Sequence, residues 1–495
     1  MKFRLIALLC MAFAMVGCNT QNPVKEKKKT IVKGVNNNRF EFKYEYSPLE
    51  NGVASQYIYK EIETDTANNY ALEFNISEPY ILTLSRKYRG PVYVLVEPGK
   101  TYEVDIQPGD TINVRAESQE LQDFYQTVES LQFASLCEKE YFPEGKVTDS
   151  IVNFLDNRMN NELAHLDSLY NKGLINKDAY ELATLDRKVY NYYVLSSGMK
   201  LKYRVNFNDK DSIRINAEDL AYWETLYPKE LIQNPIVSKS PHFPLYMDNY
   251  IYFERHKKHI MFTKEISKDY LKIPILMRQR ATSKEVLSDT LRKRYLASYY
   301  GFHLKHFPYD STCLQPFAEL AKEFPNDHLT HYLQPKIDNI KKFYSASIPE
   351  GVEFLENYDQ VNSMDELLAI MKGKRLYIDI YSTWCPPCLA QMKHEEYKTE
   401  ALKKYDVTPV FLLCQDNCAD DYWKKMIFHN DLKGIHLRVN QKFSQDLFDK
   451  FGWGQGIGMP RYMFINENGE IVNKEAYRPS SHKIEEQCEE AFKKS

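Results

Sequence analysis

Residues 384–388 read WCPPC and stand between two stretches of different periodicity. Residues 376–381, just before them, are rich in β-branched and aromatic side chains and predict a buried strand. Residues 389–402, just after them, predict a helix. Two cysteines separated by two residues at a strand-to-helix junction are suited to exchanging disulfides with another protein. The pattern therefore predicts an α/β unit that carries a redox-active pair.

The two cysteines have different expected roles. Cys385 would lie at the helix N-terminus, where the macrodipole and free backbone N–H groups favour an anion, so we expect it to be the nucleophile. Cys388, one turn later, would attack a mixed disulfide and release the partner. Pro386 and Pro387 suit the first helical positions, but each removes an N–H donor. We therefore expect only a moderate stabilisation of the Cys385 thiolate.

Asp379 stands in the middle of the strand that leads to the cysteines. Strand alternation places it on the same face as Tyr377 and Tyr381, in a run that otherwise predicts burial. A carboxyl group held there in apolar surroundings should have a raised pKa and could accept the proton that Cys388 loses. The alternative is a partly exposed aspartate with a merely structural role.

Pro460 follows Met459 and precedes a second strand-like run, residues 462–465. Proline tolerates the start of a strand and is the residue before which a cis peptide bond is cheap. In thioredoxin-like proteins a cis-proline at this place lies against the dithiol and helps to bind the backbone of the partner. By that resemblance Trp384, Met459 and Pro460 are expected to form the substrate-binding surface.

Residues 346–495 resemble the thioredoxin fold, specifically the TlpA/ResA-like branch of envelope thiol–disulfide oxidoreductases. The residues that carry the resemblance are Asp379, Trp384, Cys385, Pro387, Cys388 and Pro460, with residues 469–472 entering the closing hairpin. The long segment between Cys388 and Pro460 also resembles that branch, which has an extra helix and strand there. The resemblance implies a thiol–disulfide oxidoreductase that needs no cofactor and no metal.

The chain departs from that family pattern at two positions. Pro386 stands where family members often have glycine or an acidic residue, and Gln391 stands where some have a buried glutamate. Asp379 is then the only obvious internal proton acceptor.

Three other functions are compatible with parts of the pattern. Half of a zinc site would need a second pair of ligands, and no second pair has suitable spacing. A peroxidase is favoured by Ser382, three residues before Cys385 as in peroxiredoxins, but Ile378 occupies the place of their motif proline. A binding or structural lipoprotein, whose thioredoxin-like domain has lost turnover, is the main alternative to the oxidoreductase.

The N-terminus predicts the compartment. Lys2 and Arg4 flank the start of an apolar run, residues 5–16, which is too short to span a bilayer and indicates a signal peptide over 1–17. Residues 15–18 resemble a bacterial lipobox, so Cys18 is the expected lipidation site and residues 18–29 a lipidated tether. Asn19 favours an anchor in the outer membrane, facing the periplasm. An ordinary signal peptide, with Cys18 incidental, is the alternative.

The length of the chain, 495 residues and 58.3 kDa, is too great for one domain. Short strands separated by Pro-Gly turns predict an antiparallel β-sandwich over 30–117, which resembles the N-terminal domain of lipoproteins of Bacteroidota-type bacteria. Apolar residues three and four apart predict a helical domain over 118–345, before the thioredoxin-like domain at 346–495. The fold class is therefore multidomain: an N-terminal β-sandwich, an α-helical middle domain and a C-terminal α/β thioredoxin fold.

Several side chains outside the WCPPC motif leave alternatives open. Aromatic residues of the β domain, namely Tyr57, Tyr59, Tyr80 and Tyr93, form either a binding face or, as is more usual, core packing. His256, His259, His303 and His306 are expected to be solvated or packed rather than metal ligands. Cys414 and Cys418 either form a second disulfide or remain thiols, while Cys137, Cys313 and Cys488 are expected in cores.

The expected partners follow from the compartment. They are periplasmic client proteins with thiols or disulfides, and the membrane through the lipid anchor. A membrane reductase would be a further partner if the chain works as a reductase, because the periplasm is kept oxidising; oxidase or isomerase work would not need one. A formal net charge of -3 argues against nucleic acid, although four lysines lie within residues 25–29.

Overall fold

The computed structural model describes residues 25–37, 42–45, 59–86, 89–107, 112–130, 134–142, 146–203, 215–262, 273–451 and 458–492. The predicted signal peptide and Cys18 lie outside these ranges. The chain divides into two compact units, one of residues 1–307 and 312–334 and the other of residues 308–311 and 335–495. Within the described ranges, no helix has both the length and the apolar character needed to cross a membrane.

The first unit opens with eight strands in two four-stranded sheets. They are β1 Lys28–Val35, β2 Phe42–Glu45, β3 Tyr59–Glu61, β4 Asn69–Ile76, β5 Tyr80–Arg86, β6 Arg89–Val96, β7 Thr101–Ile106 and β8 Ile112–Arg115. The sheet orders are β4-β1-β7-β8 and β3-β2-β5-β6. Apolar side chains of both sheets, such as Val32 and Val104 from one and Leu82 and Val94 from the other, share one core.

This shared core agrees with a sandwich in the strands that are described. The pairing is not purely antiparallel as predicted, because β1 and β7 run parallel, with Val32 opposite Tyr102. Tyr80 and Tyr93 are buried, 2% and 4% exposed, so they belong to the packing rather than to a binding face. Tyr57 and the side chain of Tyr59 lie outside the described residues.

The first unit continues with helices, the last of which ends in the second unit. They are α1 Gln119–Thr127, α2 Ala134–Tyr141, α3 Asp149–Asn171, α4 Lys177–Lys202, α5 Ala217–Thr225, α6 Lys229–Ile232, α7 Phe243–Phe262, α8 Ile275–Val286, α9 Asp289–His306, α10 Leu314–Glu323 and α11 His328–Ser345. Single helical turns of the 3-10 type occupy Pro235–Lys239 and Ser311–Cys313. The side chains of His256 and His259 lie outside the described residues.

The β and helical parts of this unit share a core. Ile81 and Leu95, on the second face of β5 and β6, pack in one cluster with Leu121, Phe124 and Leu166 of the helices. The strands therefore bury both faces, one against the other sheet and one against helices. This packing explains why the predicted β-sandwich and most of the predicted helical domain fall within one compact unit.

The second unit is built on a six-stranded sheet of order β14-β13-β10-β11-β12-β9. Its strands are β9 Val352–Phe354, β10 Arg375–Tyr381, β11 Val407–Leu413, β12 Gly434–Arg438, β13 Arg461–Ile465 and β14 Ile471–Asn473. Its helices are α12 Met364–Ile370, α13 Pro386–Gln391, α14 Glu395–Lys403, α15 Asp420–His429, α16 Gln441–Phe451 and α17 Ile484–Phe492, with 3-10 turns at Tyr358–Gln360, Met392–His394 and Pro479–Ser481.

Strand β10 lies inside this sheet, parallel to β11 and antiparallel to β13. Ile378 and Ile380 point into the core on one face, and Tyr377 and Tyr381 into clusters on the other. A strand that is covered on both faces needs apolar residues at nearly every position, which explains its composition.

The helix predicted over 389–402 is interrupted. Helix α13 begins earlier, at Pro386, and the turn Met392–His394 separates it from α14. The apolar pattern continues across this break, which is why periodicity alone did not reveal it. The chain is interrupted in the same way between α8, which ends at Val286, and α9, which begins at Asp289.

Gly434 provides a test of the packing between β11 and β12. Its φ is +140°, and a Cβ atom there would lie 2.5 Å from the carbonyl oxygen of Pro409. Gly373 also has positive φ, +90°, but a Cβ there would meet no atom within 4 Å. We expect Gly373→Ala to lower the free energy of unfolding by about 1 kcal/mol, and Gly434→Ala by about 3 kcal/mol or more. Urea denaturation of the two variants checks this, and equal losses would contradict the proposed clash.

Candidate active site

The two cysteines close a disulfide at the junction between β10 and α13. Cys385 caps α13, and its Sγ accepts a hydrogen bond from the backbone N–H of Cys388 at 3.3 Å. The Cα atoms of the pair are 5.3 Å apart. Since prolines occupy the first two helical positions, the N–H of Cys388 is the first donor that α13 can offer to the sulfur of Cys385.

Both cysteines are buried in this oxidised form. Cys385 is 4% exposed and Cys388 2% exposed, and they share an apolar cluster with Tyr381, Phe411 and Trp423. Trp384, directly before Cys385, is 59% exposed. The disulfide therefore lies in an apolar pocket next to a large exposed aromatic ring.

Three consecutive residues before Cys385 are tied to the end of β11 and the loop after it. The Ser382 hydroxyl donates to the carbonyl of Cys414, and the Thr383 N–H donates to Asp416 Oδ2 at 2.5 Å. The Trp384 indole donates to the carbonyl of Gln415 at 3.0 Å. We call residues 382–384 with residues 414–416 the junction clamp. It fixes the backbone that enters Cys385 and the direction of the exposed indole.

Met459, which directly precedes Pro460, also lies at this site. The peptide bond between them is cis, and Pro460 is buried. The Met459 sulfur lies 3.3 Å from the Ser382 hydroxyl oxygen, and its side chain packs against the cluster that holds both cysteines. The structure thus brings four of the predicted residues together: the two cysteines, Met459 and, through the junction clamp, Trp384.

Asp379 is buried in β10, with 9% of its surface exposed, so it is not the partly exposed aspartate of the alternative. It lies on the strand face of Tyr377 and Tyr381, opposite Tyr462 of β13. Its Oδ1 has no hydrogen-bond partner among the described residues. Burial raises the pKa of Asp379 to about 7, against a lowering effect of Lys398. Tyr381, two residues on, belongs to the cluster around the disulfide.

Two charged residues that the sequence analysis missed accompany Asp379. Lys398, with a side chain 1% exposed, places Nζ 3.9 Å from Asp379 Oδ2 and 2.8 Å from Glu395 Oε2. Glu395 is 7% exposed, and burial raises the pKa of its carboxyl group. Asp379 is therefore not the only buried carboxyl group of the redoxin domain, although it was the only obvious one in the sequence. The spacing in the sequence indicated their burial, because Glu395 and Lys398 share a helical face with the buried Leu402.

Comparison with known proteins agrees with this geometry. Residues 347–488 match the redoxin family. A protein from Bacteroides vulgatus, provisionally named a thiol-disulfide oxidoreductase, is 32% identical over 25% of this chain and 76% of its own, with a TM-score of 0.21. Residues 347–488 therefore form a redoxin domain.

Two further solved structures match the redoxin domain. The thioredoxin domain of a thiol-disulfide oxidoreductase from Bacteroides vulgatus is 19% identical, over 25% of this chain and 84% of its own, with a TM-score of 0.22. A thiol:disulfide interchange protein from Chlorobium tepidum is 17% identical, over 24% and 83%, with a TM-score of 0.21. No curated protein matches the chain.

The remaining thiols of the redoxin domain are separate from the disulfide. Cys414 and Cys418 are both free, which decides between the two alternatives left open by their spacing. The thiol of Cys414 contacts Ser444 Oγ at 3.4 Å, and Arg438 donates to Cys418 Sγ at 3.5 Å. Burial raises the pKa of Cys418 to about 11, so it is a weak nucleophile at neutral pH. Cys488 is buried, as predicted.

The raised pKa of Asp379 makes a prediction for stability. Between pH 4 and 7 the unfolded chain releases this proton while the folded redoxin domain retains it, so this contribution to stability is lost as the pH rises. Asp379→Asn has no such proton. We therefore expect the free energy of unfolding of the oxidised variant, relative to that of the oxidised wild type, to rise by about 2 kcal/mol from pH 5 to pH 8. Urea denaturation at each pH measures it, with the exposed Asp449→Asn as the control that shows no such gain.

Proposed function

We propose that this chain is an envelope thiol–disulfide oxidoreductase that exchanges disulfides with periplasmic proteins through Cys385 and Cys388. The observation that carries the proposal is the disulfide at the N-terminus of α13, in an apolar pocket bordered by Met459. A structural disulfide would not require an exposed Trp384 beside it or a buried carboxyl group on the strand that leads to it.

The reaction begins with the reduced pair. The Cys385 thiolate attacks a disulfide of the client, which forms a mixed disulfide and releases one client thiolate. Asp379 then accepts the proton of the Cys388 thiol, directly or through water. The Cys388 thiolate attacks Cys385 Sγ, which releases the second client thiolate and forms the Cys385–Cys388 disulfide. Two thiols are oxidised and one client disulfide is reduced, and the reverse sequence oxidises a client.

The client backbone would contact two surfaces next to the disulfide. One is the exposed indole of Trp384, held by the junction clamp. The other is Met459, which packs against the cluster that holds both cysteines, with Pro460 after it. Shape and backbone contacts, rather than a charged pocket, would then recognise the client.

The compartment completes the proposal. Lipidation of Cys18 after removal of residues 1–17 would anchor the chain to the outer membrane with its domains in the periplasm. Residues 18–29 would form the tether, 30–117 the β-sandwich, 118–345 the helical domain and 346–495 the redoxin domain. In the reductase direction a membrane reductase would supply two electrons to the disulfide, whereas the oxidase or isomerase direction would not require it. Neither a cofactor nor nucleic acid takes part.

A trapping variant tests the exchange. Cys388→Ser removes the thiol that resolves the mixed disulfide but leaves the attacking thiol of Cys385. We expect this variant to accumulate covalent adducts with envelope proteins that disappear on reduction, seen as new bands on non-reducing gels. Cys385→Ser is the matched control and should form none. Absence of adducts with Cys388→Ser would favour the binding lipoprotein over the oxidoreductase.

A second variant tests the anchor. Cys18→Ala removes the acylated side chain, so the chain should lose radiolabelled palmitate and move from the membrane fraction to the soluble fraction. Cys10→Ala, within the apolar run of the signal peptide, should retain both the label and the membrane location. A wild-type chain that takes up no palmitate would instead indicate an ordinary signal peptide.

A further inference from the structure

Helix α14 carries two buried side chains of opposite charge, which lie next to Asp379 of β10. The Lys398 ammonium lies 2.8 Å from Glu395 Oε2 and 3.9 Å from Asp379 Oδ2. The side chain of Lys398 is 1% exposed and that of Glu395 9% exposed. Removing two charges from water is costly, and surface positions on the same helix were available for both residues. This desolvation free energy indicates that the pair has a role beyond the packing of α14.

Outside the cluster, Asp431 acts through its charge on Glu395 and Arg478 on Tyr462, while the tyrosines and the histidine that face the cluster are neutral. Tyr377 of β10 and Tyr462 of β13 flank Asp379, and burial raises the pKa of both hydroxyls. The Lys398 ammonium lies 4.1 Å from the ring centroid of Phe411 in β11, and His436 of β12 stacks on that ring. Burial lowers the pKa of His436 to about 3, which keeps the imidazole neutral at pH 7.

Cys488 of α17 faces Tyr377, and burial raises its pKa to about 12, so it carries no charge either. In the described part of the chain, the groups that act on Asp379 through their charge are therefore Lys398 and Glu395. The two act in opposite directions, because one is a cation and the other an anion.

We propose that Glu395 and Lys398 are positioning residues that set the protonation of Asp379: Lys398 favours the carboxylate, and Glu395 limits that effect by pairing with the ammonium. The inference rests on the proposed function, since it assigns Asp379 the proton of Cys388. It goes beyond that function because neither α14 residue touches the cysteines in the mechanism described.

The location of Glu395 supports this assignment. The turn Met392–His394 interrupts the helix after the cysteines, so Glu395 occupies the first turn of α14. Carboxylates are favoured there by the helix dipole. Lys398, one turn later, then reaches between the two carboxyl groups and lies closer to Glu395. Asp379 receives only part of the field of the ammonium, and its proton remains exchangeable near neutral pH.

The proposal predicts opposite effects for two substitutions. Glu395→Gln leaves the Lys398 ammonium without its closer partner, so the ammonium acts more strongly on Asp379. The proton affinity of Asp379 should then fall, and the rate of the resolving step should reach half its maximum at lower pH. Lys398→Gln leaves two buried carboxyl groups facing each other and should move that midpoint to higher pH. We expect each shift to be about one pH unit. Lys398→Arg retains the cation and should stay near the wild type.

The experiment follows the second step directly in the full chain. Reduced protein is mixed with Ellman's reagent, an aromatic disulfide, and the release of its coloured thiolate is recorded by stopped flow between pH 5 and 9. Attack by Cys385 releases one thiolate, and resolution by Cys388 releases the second as the protein disulfide forms. The Cys388→Ser variant lacks this second phase and reports the reaction of the other thiols, which is subtracted.

Loss of one partner of a buried pair destabilises a protein, so a third variant avoids an unpaired charge. Glu395→Gln/Lys398→Gln removes both charges, and its midpoint should fall between that of the wild type and that of Lys398→Gln. Glu485→Gln breaks the exposed pair between Lys404 and Glu485, which are 2.8 Å apart, and should leave the profile unchanged.

The outcomes separate this inference from the proposed function. Shifts of opposite sign for Glu395→Gln and Lys398→Gln support the inference. Shifts of the same sign, or none, in variants that retain the second phase would overturn it while leaving the exchange reaction intact. A wild-type chain without any second phase would instead overturn the proposed function, and the inference with it.

Discussion

The conformation of residues 382–384 is the constraint on which the site depends. Strands β10 and β11 are parallel, so their carboxyl ends lie at the same edge of the sheet and the loops that follow them meet there. Bonds from Ser382, Thr383 and Trp384 to residues 414–416 then hold the junction clamp. Because the chain enters α13 from a fixed direction, Cys385 caps the helix and receives the N–H of Cys388.

The interrupted helix connects this junction to the buried charges. A continuous helix from Pro386 would carry residues 395 and 398 in its interior, far from any helix N-terminus. The turn Met392–His394 gives α14 an N-terminus of its own, where Glu395 gains from the helix dipole. The same break lets α13 be short, with two prolines at its start. Prolines that would weaken a long helix cost little in this position.

Functional residues could be predicted from the sequence where their residue type has few other structural roles at that position. WCPPC, the proline after Met459 and the buried Asp379 could be predicted because thiols, a cis-proline and an isolated carboxyl group in a strand each have a specific physical reason. Glu395 and Lys398 were missed because their surroundings come from β10 and β11, which are distant in sequence. The parallel pairing of β1 with β7 was missed for the same reason, since alternation fixes the faces of a strand and not its neighbours.

Stability and function oppose each other around Asp379. An apolar residue at 379 would complete a strand whose other side chains are already buried, and uncharged residues at 395 and 398 would avoid the desolvation of an ion pair. The chain instead retains three ionisable groups in one apolar region, with one carboxyl group near its midpoint at neutral pH. A group that must accept a proton from a thiol and later return it is effective when its pKa lies near the working pH. The cost in folding free energy is thus the physical condition for the reversible proton acceptor that we propose, and in that proposal the ion pair on α14 adjusts how readily the proton is released.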